Sequence, residues 1–276
     1  MSEQTQAISV KARVDGLRKV LESKMDTIAR TLPAQFMSPQ RFSQIVVTLC
    51  AQTPKLLECQ PTSLIAAVLQ CATLGLSPEP ATGQFYFLPF KGRVTAVPGY
   101  KGLATLAWRS QQIASLSMNV VRDGDLFDYE LGSAPFLKHK PRAQLDAPVT
   151  HAYACAKPVN GEMMFEVLTT EQVRAIQARS PSAGASFSPW KSDWDAMAKK
   201  TAFRRLAKLL PLSTEPSRQL AKALDLDERA ELGLAQHNEE LLGESNEEEI
   251  ETGQADRGAT GQVAPGATRQ DNSRDE

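Results

Sequence analysis

Five cations fall within ten residues, Lys199, Lys200, Arg204, Arg205 and Lys208, with no carboxylate among them. A solvated helix normally mixes signs at i,i+4 spacing, so a run of one sign points to a polyanion. At about 100° per residue, Phe203, Leu206, Leu209 and Leu210 fall on one side with Ala196 and Ala202. Trp190, Trp194, Met197, Thr201, Arg204, Arg205 and Lys208 fall on the other, with Lys200 at its edge. The first side is a core face. The second interleaves aromatic rings with cations, as a nucleic-acid surface does. The two tryptophans also read as core anchors of a helix buried on both sides, and that reading is preferred.

A second basic group lies in FKGRVTAVPGYKGLA. Lys91 and Arg93 flank a glycine at a hairpin tip. Gly99-Tyr100-Lys101-Gly102 opens a helix, where backbone N–H groups can hold a phosphate. The same four residues match a GxxG clamp, which leaves an RNA-binding scaffold as one reading, although the preceding strand is the wrong context for it. No GK[ST] stands at P-loop spacing, so nucleotide hydrolysis has no visible basis. The carboxylates of DGDLFDYE (Asp123, Asp125, Asp128 and Glu130) lack EF-hand spacing. They admit a two-acid Mg²⁺ site, hence a metal-dependent nuclease using Asp123, Asp125 or Asp128. Loop and edge-strand charges are the simpler reading. His139 sits between Lys138 and Lys140, where a phosphate contact is expected before catalysis.

These residues need elements to hold them. Apolar spacing predicts helices over 10–31, 38–52 and 61–74, the second opened by Ser38-Pro39 and the third stopped by Gly75. Gln84 to Phe90 and Arg93 to Val97 read as a hairpin turned at Lys91-Gly92. Strand alternation sends Phe85 and Phe87 to one face and Tyr86 to the other, and Tyr86 is the candidate for DNA. A helix follows through Leu103, Leu106 and Ala107. Strands are expected at 113–121 and 125–131, then an extended basic loop over 132–148. A second hairpin turns at Asn160-Gly161. Thr170 opens a short helix, and the last strong helix spans 189–210, from Ser188-Pro189 to Pro211.

The chain has 276 residues and a formal net charge of −1, but the charge is divided. Residues 1–224 hold 27 Lys and Arg against 17 Asp and Glu, and residues 225–276 hold 4 against 15. A basic body with an acidic tail implies a polyanionic partner for the body. The tail has no aromatics and a like-charge block, so composition predicts that it does not fold alone. It reads as solubilising, or as a segment that competes with nucleic acid for the basic surface. No apolar run is long enough for a membrane span, and the first residues lack the apolar core of a secretory leader. The four cysteines form no CxxC pair, which fits reduced thiols in the cytoplasm.

Five stretches occur in a familiar order: PTSLIAAVLQCATLGLSPEP, QFYFLPFKGRVTAVPGYKGLATLAWRS, VVRDGDLFDYELGSAPFLKHKP, AYACAKPVNGEMMFEVLT and SPWKSDWDAMAKKTAFRRLAKLLP. Through them the chain resembles the RecT family of phage-type single-strand annealing proteins, over about residues 32–225. Cys59-Gln60-Pro61 stands where more acidic residues are common in the family. The resemblance implies an α+β fold, a small antiparallel β-sheet with a hairpin packed by helices (the Redβ/RecT-like annealing fold). It implies ATP-independent binding of single-stranded DNA and annealing of complementary strands in recombination, without covalent catalysis. It further implies a homo-oligomeric ring or filament, an annealed duplex intermediate, a partner exonuclease, contact with the host single-strand binding protein, and a phage or prophage origin in a bacterial cytoplasm.

The expected organisation is an N-terminal helical segment (1–31), an annealing domain (32–224) and an acidic, largely disordered tail (225–276). The expected DNA contacts are Tyr86, Lys91, Arg93, Tyr100, Lys101, Arg109, Lys138, Lys140, Lys191, Lys199, Lys200, Arg204, Arg205 and Lys208. No cofactor is expected, and the sequence does not require Mg²⁺.

Overall fold

The N-terminal half is helical because each helix has a start signal and an apolar stripe. In the computed structural model of the protein, described for residues 3–33, 35–181, 183–184, 188–210, 215–234 and 236, α1 (Glu3–Ser23) and α2 (Met25–Thr31) replace the single helix expected over 10–31. Leu17, Leu21 and Ile28 join the same core as the later elements, so this segment is not a separate layer. α3 (Pro39–Gln52) starts where the Ser38 hydroxyl accepts from the Arg41 N–H, with proline at its first position. α4 (Pro61–Leu74) is buried almost all round and ends on Gly75, whose φ of +58° is the left-handed conformation of a helix C-cap.

β1 (Phe85–Phe90) and β2 (Arg93–Pro98) form the expected hairpin. Its two-residue turn has positive φ at both Lys91 and Gly92, the twist a tight hairpin requires. Phe85 and Phe87 are buried and Tyr86 is exposed, as strand alternation demands. α5 (Tyr100–Arg109) begins directly after β2. A Cβ on Gly102 would stand 2.1 Å from the Gln84 carbonyl oxygen, and one on Gly99 would stand 2.2 Å from the Gly83 carbonyl. The two glycines thus let the start of α5 press against the entry to β1, which brings Tyr86, Tyr100 and Lys101 together.

A three-stranded antiparallel sheet has the order β3 (Ile113–Arg122), β6 (Val149–Pro158), β7 (Met164–Thr169). The stretch 132–148, expected as a loop, contains a strand. β5 (Phe136–Lys140) pairs with β4 (Leu126–Glu130), with Asp128 opposite Lys138 and Phe127 opposite His139. Flanking prolines conceal a five-residue alternation there. His139 faces away from Lys138 and Lys140 and is buried between two partners. One ring nitrogen lies 3.1 Å from the Tyr153 hydroxyl and the other 3.1 Å from Asp125. Phe127 stacks on Tyr153 beside them, at 5.7 Å. This chain of side chains clamps the β4–β5 hairpin onto the sheet.

α6 (Thr170–Arg179) opens with a capping box between Thr169 and Gln172. The helix expected over 189–210 is broken at Asp193 into α7 (Pro189–Ser192) and α8 (Trp194–Ala207), and the Asp193 side chain caps the second. Leu209, expected on the core face, is exposed because α8 has ended before it. α9 (Glu215–Leu232) was not anticipated. It runs through residue 224, where the charge division had placed the start of a tail, and it buries Leu220, Ala223, Leu224 and Leu226. The described residues belong to one unit, residues 1–244, and residues 245–276 lie outside them.

Two outcomes follow from this framework. Gly102→Ala should cost about 1–3 kcal/mol in urea unfolding, because a backbone oxygen blocks the new methyl; a loss within experimental error would contradict that packing. The Ala143, Arg122 and Arg142 N–H groups, and then His139, hold the Asp125 carboxyl well below its usual range. Its ionised form therefore stabilises the fold above the ordinary value, and that contribution fades as pH falls toward the lower folded value. Asp125→Asn should lower the melting temperature at neutral pH, with the gap to wild type closing below about pH 4. A gap independent of pH would contradict it.

Candidate nucleic-acid interface

The expected contacts divide into cations that the fold leaves open and cations that it pairs. The open ones begin at the β1–β2 turn. Lys91 and Arg93 are exposed, and the Lys91 ammonium lies 5.3 Å from the Phe90 ring centroid. The Gln60 N–H donates to the Gly92 carbonyl at 2.8 Å and ties this turn to the start of α4. About 15 Å along the hairpin is its other end, where Tyr86 stands 39% exposed. Burial first, and then the neighbouring Tyr100 and Asp193, push its phenol above the ordinary value, so it stays a neutral hydroxyl at physiological pH. Exposed Lys101 follows on the first turn of α5, and the Lys199 ammonium sits 5.4 Å over the Tyr100 ring.

Tyr86 and Tyr100 stand at a cleft of about 430 Å³, walled also by Trp190 and Met197 and by Lys200 and Arg204 of α8. Asp227 and Glu231 of α9 complete it. Four expected contacts, Tyr86, Tyr100, Lys200 and Arg204, therefore meet in one place although they come from three elements. Lys191 is exposed close by in sequence and donates to the Gly184 carbonyl at 2.6 Å. Lys138 and Lys140 are exposed on β5, with the Lys138 ammonium 5.4 Å from the Phe136 ring centroid.

The other cations are engaged. The Lys200 ammonium lies 2.5 Å from Asp227, and its side chain is 9% exposed. Arg204 pairs with Asp227 and with Glu231. Lys208 meets Glu228 at 2.8 Å, and Arg205 meets Glu166 of β7 at 2.8 Å. The basic face of α8 is thus a tertiary contact with α9 through Lys200, Arg204 and Lys208, and with β7 through Arg205. Arg109 has a structural partner too. Its guanidinium donates to the Gly75 carbonyl at 2.7 Å and covers Phe36 at 5.4 Å, satisfying the end of α4. Partial burial lowers its pKa from the ordinary guanidinium value.

The tryptophans are core and rim. Trp190 is 3% exposed, and the Trp194 indole donates to Gln177 at 3.1 Å. The carboxylates give little support to a metal site. Each oxygen of Asp125 already accepts two hydrogen bonds, from Arg142 and Ala143 on one side and from Arg122 and His139 on the other. Asp123 and Asp128 are exposed. Among the described residues, no group of three His, Cys, Asp or Glu side chains is placed to hold a metal ion.

Sequence reasoning missed Asp227, Glu228 and Glu231 as neighbours of these cations. The signal was the apolar spacing of Leu220, Ala223, Leu224 and Leu226 leading into them, which marks one helix face. No helix of the described residues is long and apolar enough to cross a membrane.

Comparison with known proteins agrees with the ordered motifs. The profile of the RecT family matches residues 40–251. The chain is 40% identical to Protein RecT of Escherichia coli K12 over 228 residues, which is 80% of this chain and 82% of that protein. It is 26% identical to the uncharacterized protein YqaK of Bacillus subtilis 168 over 203 residues, 73% of this chain and 70% of that one. A match of this extent, over the strands and helices that carry Tyr86, Lys101, Lys199 and the α8 cations, shows that the chain belongs to the RecT family, and with it to the strand-annealing proteins of DNA recombination.

Proposed function

We propose that this chain binds single-stranded DNA along its open cations and pairs complementary strands without nucleotide hydrolysis. The observation that carries the reading is the meeting of Tyr86 and Tyr100 at one cleft, with the Lys199 ammonium over the Tyr100 ring, Lys101 and the Tyr86 hydroxyl both beside Gly83, and the Lys91–Arg93 turn on the same hairpin. Annealing requires no bond to be made or broken in either strand. It requires that the repulsion between two phosphate backbones be reduced and that the bases stay free to pair. Exposed ammonium groups answer the first need by releasing counterions from the backbone. Aromatic groups at an exposed rim answer the second, because a transient stack keeps a base unpaired with its own strand and accessible to another.

Lys138 and Lys140 add charge on a separate hairpin. In this reading they meet a more distant stretch of the same strand, or the strand carried by a neighbouring subunit of a ring or filament. No cofactor enters the scheme. A partner exonuclease that exposes single strands and the host single-strand binding protein complete it, in the cytoplasm of a bacterial host, for a chain of phage or prophage origin.

The test is the salt dependence of binding. Lys101→Glu combined with Lys199→Glu should weaken binding to a labelled oligonucleotide. The slope of log affinity against log salt should become shallower by about 0.7 for each phosphate no longer neutralised. The melting temperature should be preserved, since both side chains reach solvent. Unchanged affinity and slope in a folded double variant would overturn the assignment of this surface.

A further inference from the structure

Lys200 and Arg204 of α8 and Lys208 at its C-cap recur every four residues, about 6 Å apart along the axis. An extended single strand carries its phosphates at a comparable interval. In this structure the row is occupied by carboxylates: Asp227 on Lys200 and Arg204, Glu231 on Arg204, and Glu228 on Lys208. We propose that this row is a second phosphodiester-binding surface, closed in the free chain by the acidic end of α9 and opened when a DNA backbone takes the place of those carboxylates. The inference rests on the DNA-binding reading above.

α9 is held in two different ways along its length. Up to Leu226 it is fixed by apolar burial, through Leu220, Ala223, Leu224 and Leu226. That part has no reason to leave. From Asp227 onward the described anchors are mainly polar: the ion pairs just named and two hydrogen bonds between the Gln236 side chain and the Ala96 backbone, at 2.9 and 2.7 Å. The apolar part is small, where Ala230 and Gly233 stand beside Leu88, Val97 and Pro181. The large apolar side chains of this end, Leu232 and Leu234, are 47% and 54% exposed. A phosphate can replace each carboxylate on α8, whereas nothing in DNA can replace the burial of Leu220 or Leu224. The exchange therefore has a natural hinge between Leu226 and Asp227.

The closed state also carries a cost. One oxygen of Glu231 is buried without a hydrogen-bond partner, and a buried carboxylate oxygen left in that condition weakens the contact that holds it. Opening joins the two surfaces. Asp227 and Glu231 form the acidic part of the cleft wall opposite Tyr86 and Tyr100. With them withdrawn, Lys200 and Arg204 face the cleft with Asp193 as the one carboxylate left among its lining residues, next to Lys199 over the Tyr100 ring.

The test compares wild type with Glu228→Gln/Glu231→Gln, which removes two of the competing charges but leaves Asp227 opposite buried Lys200. Affinity for a labelled oligo-dT should rise about tenfold if the closed state accounts for roughly nine-tenths of the free chain. In wild type, amide hydrogen exchange over residues 227–234 should accelerate several-fold when oligo-dT is added, while exchange over 217–226 stays slow. This second measurement needs no variant and so does not depend on the variant folding. Wild-type protein that binds oligo-dT with no gain in the variant, and with exchange over 227–234 unchanged or slowed, overturns the inference alone. Wild-type protein that fails to bind oligo-dT overturns the proposed function, and the inference with it.

Discussion

Lys200 and Arg204 lie in the middle of a helix packed on both sides, and a cation in that position requires a counter-charge. Asp227 supplies it. Lys200 and Asp227 are both nearly excluded from solvent, at 9% and 3% side-chain exposure. Removing one partner of such a pair would leave an uncompensated charge, at a cost of about 3–5 kcal/mol. The pair therefore fixes where the end of α9 from Asp227 onward lies against α8. α9 in turn covers β2 and α5, so the cleft with Tyr86 and Tyr100 at its mouth has its present shape because two opposite charges share one buried place. A hydrophobic pair would hold the helices as well. An ionic pair adds a contact that a different anion can replace.

The division between open and engaged cations follows from this constraint. Charges at turns and at the first turn of α5 reach solvent because the chain reverses there. Lys200 and Arg204 at mid-helix are held by carboxylates that α9 brings up, whereas Lys199 on the same helix lies over the Tyr100 ring. The two groups come together around the cleft, where Lys199 lies over the Tyr100 ring and Lys200 and Arg204 line the wall beside Asp193, Asp227 and Glu231.

Much of the framework was legible in the residues. Ser38-Pro39, Gly75, the Lys91-Gly92 turn and Asn160-Gly161 each mark a boundary through local stereochemistry, and local stereochemistry survives folding. The exposure of Tyr86 between buried Phe85 and Phe87 follows from strand alternation alone. What was not legible was tertiary. β5 hides between prolines, and its pairing with β4 depends on a buried Asp125–His139–Tyr153 chain that spans residues far apart in sequence. α9 was absorbed into the acidic tail because its carboxylates outweighed its apolar stripe in a count of charge. The partners of Lys200, Arg204 and Lys208 lie some twenty to twenty-seven residues downstream, and Arg109 finds a carbonyl thirty-four residues upstream. Helical spacing placed these cations on one face of the helix and was silent on what each one touches.

The central claim is that charge neutralisation and rim aromatics suffice to pair strands. It is tested most directly by mixing two complementary labelled oligonucleotides with the protein in the absence of any nucleotide, and following duplex formation over time. The account predicts acceleration over the protein-free rate, with both strands at full length on a denaturing gel. No acceleration, despite binding of each single strand, would contradict it by reducing the surface to a passive nucleic-acid contact. Shortened strands would contradict it by showing that the chain does covalent chemistry on DNA.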